Sequence, residues 1–90
     1  MSPAQAFATA LKRLRTSHGL TQEALAHEAG LSLTSLARIE TAVQEPKIGT
    51  VLNLARAMKI SAAELVAEVE KIRRVAATLP LEGVHLFSVQ

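Results

Sequence analysis

Apolar residues recur along this chain at three- and four-residue steps, the spacing that lays them on one side of a helix. The first such stripe is Phe7, Ala10, Leu11 and Leu14. In front of it stand Ser2, Pro3 and Gln5. Ser caps a helix, Pro is tolerated in the first turn, and a Gln at N3 reaches back to the cap amide. The pattern predicts a helix from about Pro3 to Ser17, ended by Gly19, with Leu20 turning inward. Thr21 is a cap for a short second helix, Gln22 to Ala29, with Leu25, Ala26 and Ala29 on its inner side. Gly30 breaks that helix and Ser32 caps a third, Leu33 to about Glu40, burying Leu36 and Ile39 and leaving Thr34, Ser35 and Arg38 outside.

Thr41 to Pro46 reads as a loop, after which Ile48, Val51, Leu52, Ala55 and Met58 predict a fourth helix. Ser61-Ala62-Ala63-Glu64 is a capping box, and the fifth helix it opens keeps its period as far as Leu79, where Pro80 is expected to stop it. Within that helix Leu65, Val69, Ile72, Ala76 and Leu79 form an a/d seam. Its first part is expected to cover the core. The part beyond Glu70 has no evident partner in its own chain, so Val69, Ile72, Ala76 and Leu79 are candidate dimer contacts, with Val84 and Leu86 of the apolar tail beside them. The tail, Leu81 to Gln90, is expected as a short strand paired with a second chain or as a covering arm.

Ninety residues leave room for one hydrophobic core. The organisation expected is a body over residues 1–66, with residues 67–90 as a helical extension and tail for dimerisation. The apolar share is mostly Ala, Leu, Val and Ile, a composition suited to close-packed helices and an all-α, five-helix fold. The absence of cysteine rules out a disulfide framework and cysteine-based metal sites, and suits a reducing cytoplasm. Neither a secretory leader nor a stretch long enough to span a bilayer is evident. The net charge of +2 is modest but unevenly distributed. Lys12, Arg13 and Arg15 have no acid near them in the first twenty residues, nor do Lys47, Arg56 and Lys59 between residues 46 and 60. Between these segments, Glu23, Glu28, Glu40 and Glu45 stand against Arg38 alone.

Two short helices joined by a glycine-containing turn are a mechanical device: the first braces across a nucleic-acid backbone and the second is presented to the major groove. The residues here are Gly19-Leu20-Thr21-Gln22-Glu23-Ala24-Leu25-Ala26, then Ala29-Gly30-Leu31-Ser32, then Ile39-Glu40. Downstream come Pro46-Lys47-Ile48, Leu52, Leu54-Ala55-Arg56-Ala57-Met58, Ile60-Ser61 and Leu65. Together they closely resemble the phage repressor and Cro class, the XRE-like helix-turn-helix regulators, over roughly residues 8 to 66.

The resemblance implies a lambda-repressor-like fold and a sequence-specific transcriptional regulator, repressor or autoregulator, that binds palindromic double-stranded DNA as a homodimer. It implies that Leu33, Thr34 and Arg38 face base edges, with Ser35 and Thr41 beside them, and that Gln22, opening the bracing helix, holds a phosphate, with Thr21 a further backbone contact. It also implies a structural salt bridge between Arg15 and Glu40. The family's glycine after the recognition helix is Ala42 here, Val43 replaces a frequent cation, and Glu45 is unfavourable beside DNA. Backbone affinity is therefore expected to rest on Lys12, Arg13 and Lys47 rather than on this loop.

No other chemistry competes. His18, His27 and His85 lie far apart without carboxylates at metal-ligand spacing, so no metal is expected. Glu64, Glu68 and Glu70 sit on one helix with Lys71, Arg73 and Arg74 as a solvated face, not paired catalytic acids. With neither a phosphate loop nor an activated nucleophile, no cofactor or enzymatic activity is expected. The alternative is an adaptor or antitoxin-like protein that uses the same fold and docks a protein partner through residues 81–90.

Overall fold

Five helices follow one another: α1 (Pro3–Ser17), α2 (Gln22–Ala29), α3 (Leu33–Glu40), α4 (Ile48–Ala57) and α5 (Ala62–Val89). The computed structural model describes the backbone of residues 1–89 and the side chains of residues 1–77. Four helices begin at the capping residues. Ser2 Oγ accepts from the Gln5 amide at 3.1 Å while Gln5 Oε1 accepts from the Ser2 amide at 2.8 Å. Thr21 Oγ1 accepts from the Ala24 amide and Ser32 Oγ from the Ser35 amide, both at 3.0 Å. Ser61 and Glu64 exchange the two bonds of a second capping box. Each cap satisfies amides that the first turn leaves without a helical partner. Helix α4 has Lys47 at this place and no side-chain cap.

Leu11, Leu25, Leu36, Ile39, Leu54, Met58 and Leu65 are fully buried, so each of the five helices supplies at least one residue to a single core. Burying one such side chain stabilises by about 1.5–3 kcal/mol.

Helix α4 is rotated from the expected orientation. Its inner stripe is Val51, Leu54, Ala55 and Met58, whereas Ile48 is 74% and Leu52 50% exposed. Both stripes are helical in period. The choice falls to Leu54 because the partners of α4 are α2 and α5, and their combined surface takes that side.

Helix α5 differs from expectation in two ways. It runs through Pro80 to Val89. A proline removes one amide donor, here the one facing the Ala76 carbonyl, and the turns on either side keep theirs. No strand occurs among the described residues. The seam beyond Glu70 also has a partner at home. Ile72 is buried against Ala6 and Ala10 of α1, and Val69 packs on this cluster and on the main core. Ala76 is half-buried and lines a shallow groove with Ile72 and with Met1 and Thr9 from the α1 end. Val69 and Ile72 are thus core residues, not a free dimer seam. Alanines at 6 and 10 make this possible, since their small side chains let α5 approach closely along α1. The side chains of Leu79, Val84 and Leu86, and the docking tail 81–90, lie outside those described.

Candidate nucleic-acid interface

Helix α3 buries Leu36, Ile39 and Glu40 and turns its other side outward. Leu33, Thr34 and Arg38 are exposed on that side, with Ser35 half-buried among them. The Arg38 guanidinium makes no hydrogen bond or ion pair within the described residues. An arginine whose five donors are all unused, on the convex side of a held helix, has the geometry to bond both acceptors of a guanine edge. Leu33 offers only apolar contact, of the kind a thymine methyl accepts.

Beneath this surface α3 is fastened by charge. Glu40, its last residue, is buried and receives Arg15 Nε at 2.6 Å and Arg15 Nη2 at 3.1 Å. The remaining Arg15 nitrogen, Nη1, donates to the Leu20 carbonyl at 2.8 Å. The two charges are therefore paired in the bidentate arrangement that satisfies both groups out of water.

Gln22 was expected at a phosphate. Its side chain donates from Nε2 to Glu40 Oε1 at 2.9 Å, and its backbone amide lies at the N-terminal, positive end of α2. No local signal announces this bond, because the two residues are eighteen positions apart.

The remaining backbone candidates divide. Lys12 and Lys47 are exposed and unpaired among the described residues. Arg13 points to α5, where Nη1 lies 3.3 Å from Glu68 Oε1, so this cation is engaged on the side of α1 that carries α5. Thr21 Oγ1 is occupied as a cap acceptor. Thr41 Oγ1 donates to the Ala37 and Arg38 carbonyls, keeping only acceptor capacity for a ligand.

Ala42 adopts φ 62°, the left-handed conformation a glycine takes without strain. The loop after α3 closes as a glycine-containing one does, with the Val43 and Gln44 amides donating to the Arg38 carbonyl at 2.9 and 3.2 Å. The departure at this position therefore puts a non-glycine residue in a strained conformation.

A helix-turn-helix family model, HTH_3, matches residues 11–65. The chain belongs to that family of XRE-type helix-turn-helix proteins. Among solved structures, the restriction-modification controller protein C.AhdI from Aeromonas hydrophila is 34% identical, with 69% of this chain and 94% of that one covered at a TM-score of 0.67. The clp gene regulator ClgR from Corynebacterium glutamicum superposes over 98% of this chain and 95% of its own at a TM-score of 0.84, with 24% identity. The controller protein C.Esp1396I covers 80% and 94% at a TM-score of 0.75, with 21% identity. These last two likenesses speak for the fold. A search of the curated proteins finds no match. Family membership makes the chain a DNA-binding transcriptional regulator and not an enzyme. No described helix is long and apolar enough to cross a membrane.

Proposed function

We propose that the chain is a cytoplasmic repressor or autoregulator that binds a palindromic operator as a homodimer. Leu33, Thr34 and Arg38 read bases, with Ser35 and Thr41 beside them, and Lys12, Lys47 and the backbone N–H of Gln22 hold phosphates. The observation that carries this reading is Arg38: exposed and without a partner among the described residues, on a helix whose opposite side is locked by a buried ion pair. Two recognition helices related by a twofold axis would meet successive major grooves about 34 Å apart. Among the described residues, one apolar surface open to the mate is the outer side of α4, where Ile48 and Leu52 stand one turn apart and exposed, whereas Val69 and Ile72 are engaged within the chain. Twofold association sets such a stripe against its own copy.

Selection of duplexes from random sequence, followed by binding titrations, tests the reading. Arg38→Ala should cost about 1–3 kcal/mol of discrimination at one base pair of each half-site and leave the unfolding transition in place. Lys47→Ala should weaken all duplexes alike and lower the salt slope by about one. Leu52→Glu should yield a folded monomer by sedimentation. A selection that returns no consensus, or an Arg38→Ala chain with unaltered preference, defeats the reading.

A further inference from the structure

Glu40 is the terminal residue of the recognition helix, and three nitrogens converge on it: Arg15 Nε at 2.6 Å, Arg15 Nη2 at 3.1 Å and Gln22 Nε2 at 2.9 Å. A carboxylate paired with an arginine only accepts, so the Gln22 amide is oriented with its nitrogen toward Glu40. Arg15 belongs to α1 and Gln22 is the first residue of α2. The carboxylate is therefore the point at which α1, the entrance of the bracing helix and the exit of the recognition helix are joined. Arg15 continues the join to the Leu20 carbonyl, in the turn that leads into α2.

Resting on the operator reading above, we propose that Gln22 is a positioning residue for DNA discrimination. It sets the angle between α2 and α3 through Glu40, and its side chain does not serve as a phosphate ligand. The mechanical reason is leverage. An eight-residue helix is about 12 Å long. A tilt of roughly 10° about its Glu40 end displaces the Leu33 end by about 2 Å, enough to break a hydrogen bond or a methyl contact in the groove. Arg15 holds the carboxylate from the α1 side, and Gln22 is its second attachment, from the helix that braces on the backbone. With only the first attachment, α3 keeps its place in the core through Leu36 and Ile39 but has a wider range of tilt.

Full-length Gln22→Met keeps the length of the side chain and removes the donor, while Gln22→Glu keeps the shape and sets an acceptor against an acceptor. Unfolding of the free protein and affinity for the selected operator and a scrambled duplex are measured side by side. Gln22→Met should lower the folded-to-unfolded ratio roughly tenfold, as expected for a lost hydrogen bond to a charged group. It should also reduce the operator-to-scrambled affinity ratio several-fold, with affinity for the scrambled duplex unchanged. Gln22→Glu should do both more strongly, and Gln22→Lys, which restores a donor, should recover the ratio.

Unchanged stability with equal losses on both duplexes identifies a phosphate contact and overturns the proposal, as does lowered stability with an intact affinity ratio. A wild-type chain with no preference among duplexes fails the operator reading itself, and that failure is seen before any variant is made.

Discussion

Helix α1 holds two other helices by opposite means. Against α3 it sets a buried charge, Arg15, which meets Glu40 with two hydrogen bonds and a third from Gln22. Against α5 it sets alanines, Ala6 and Ala10, over which Ile72 closes, with the ion pair Arg13–Glu68 at the surface. The first junction is directional, because paired charges out of water tolerate little change of angle. The second depends on buried area, and an apolar contact can slide with small loss. The helix proposed to read DNA is held by the junction that fixes orientation. The long helix that carries no proposed DNA contact is held by the one that fixes only proximity.

The contrast predicts unequal responses. Glu40→Ala removes the acceptor of three donors and strands Arg15 in the interior, so it should destabilise by about 3–5 kcal/mol, read from chemical denaturation. A loss below about 1 kcal/mol would mean that water enters the junction. Ile72→Ala, at the apolar junction, should cost about 2–4 kcal/mol. Its midpoint should fall by the same amount at low and high protein concentration, since Ile72 packs within its own chain. A concentration-dependent loss would return Ile72 to a subunit interface.

Ala42→Gly, just past the directional junction, should stabilise by about 0.5–1 kcal/mol, because φ 62° strains an alanine and not a glycine. Arg13→Ala should change stability least, below about 1 kcal/mol, and the difference should vanish at high salt. The Arg13 side chain is 61% exposed and its pair is screened. An effect of Arg13→Ala as large as that of Glu40→Ala would erase the distinction between the junctions.

Much of this arrangement was legible in the chain. Ser2, Thr21, Ser32 and Ser61 mark four helix starts, and Gly19 and Gly30 mark two ends in left-handed conformations. Of Thr34, Ser35 and Arg38, the outward set that the period of α3 around Leu36 and Ile39 predicts, Thr34 and Arg38 are exposed and Ser35 is half-buried. What could be read this way is local: a cap, a stop or a stripe is satisfied by residues within a turn or two, whatever the rest of the molecule does.

Other features waited on the assembly of the helices. Helix α4 carries two stripes of equal period, and the neighbours it meets choose Leu54 over Leu52. The periodicity of α5 offers a seam to any apolar partner, and α1 takes it through Ile72 before a second chain can. Gln22 has donors and an acceptor suited to many ligands, and it finds Glu40 eighteen residues away only because α2 and α3 cross where they do. A pattern along the chain states which residues seek burial or a partner. Which of several suitable partners is met depends on distances between elements remote in sequence, and these exist only once the helices have packed.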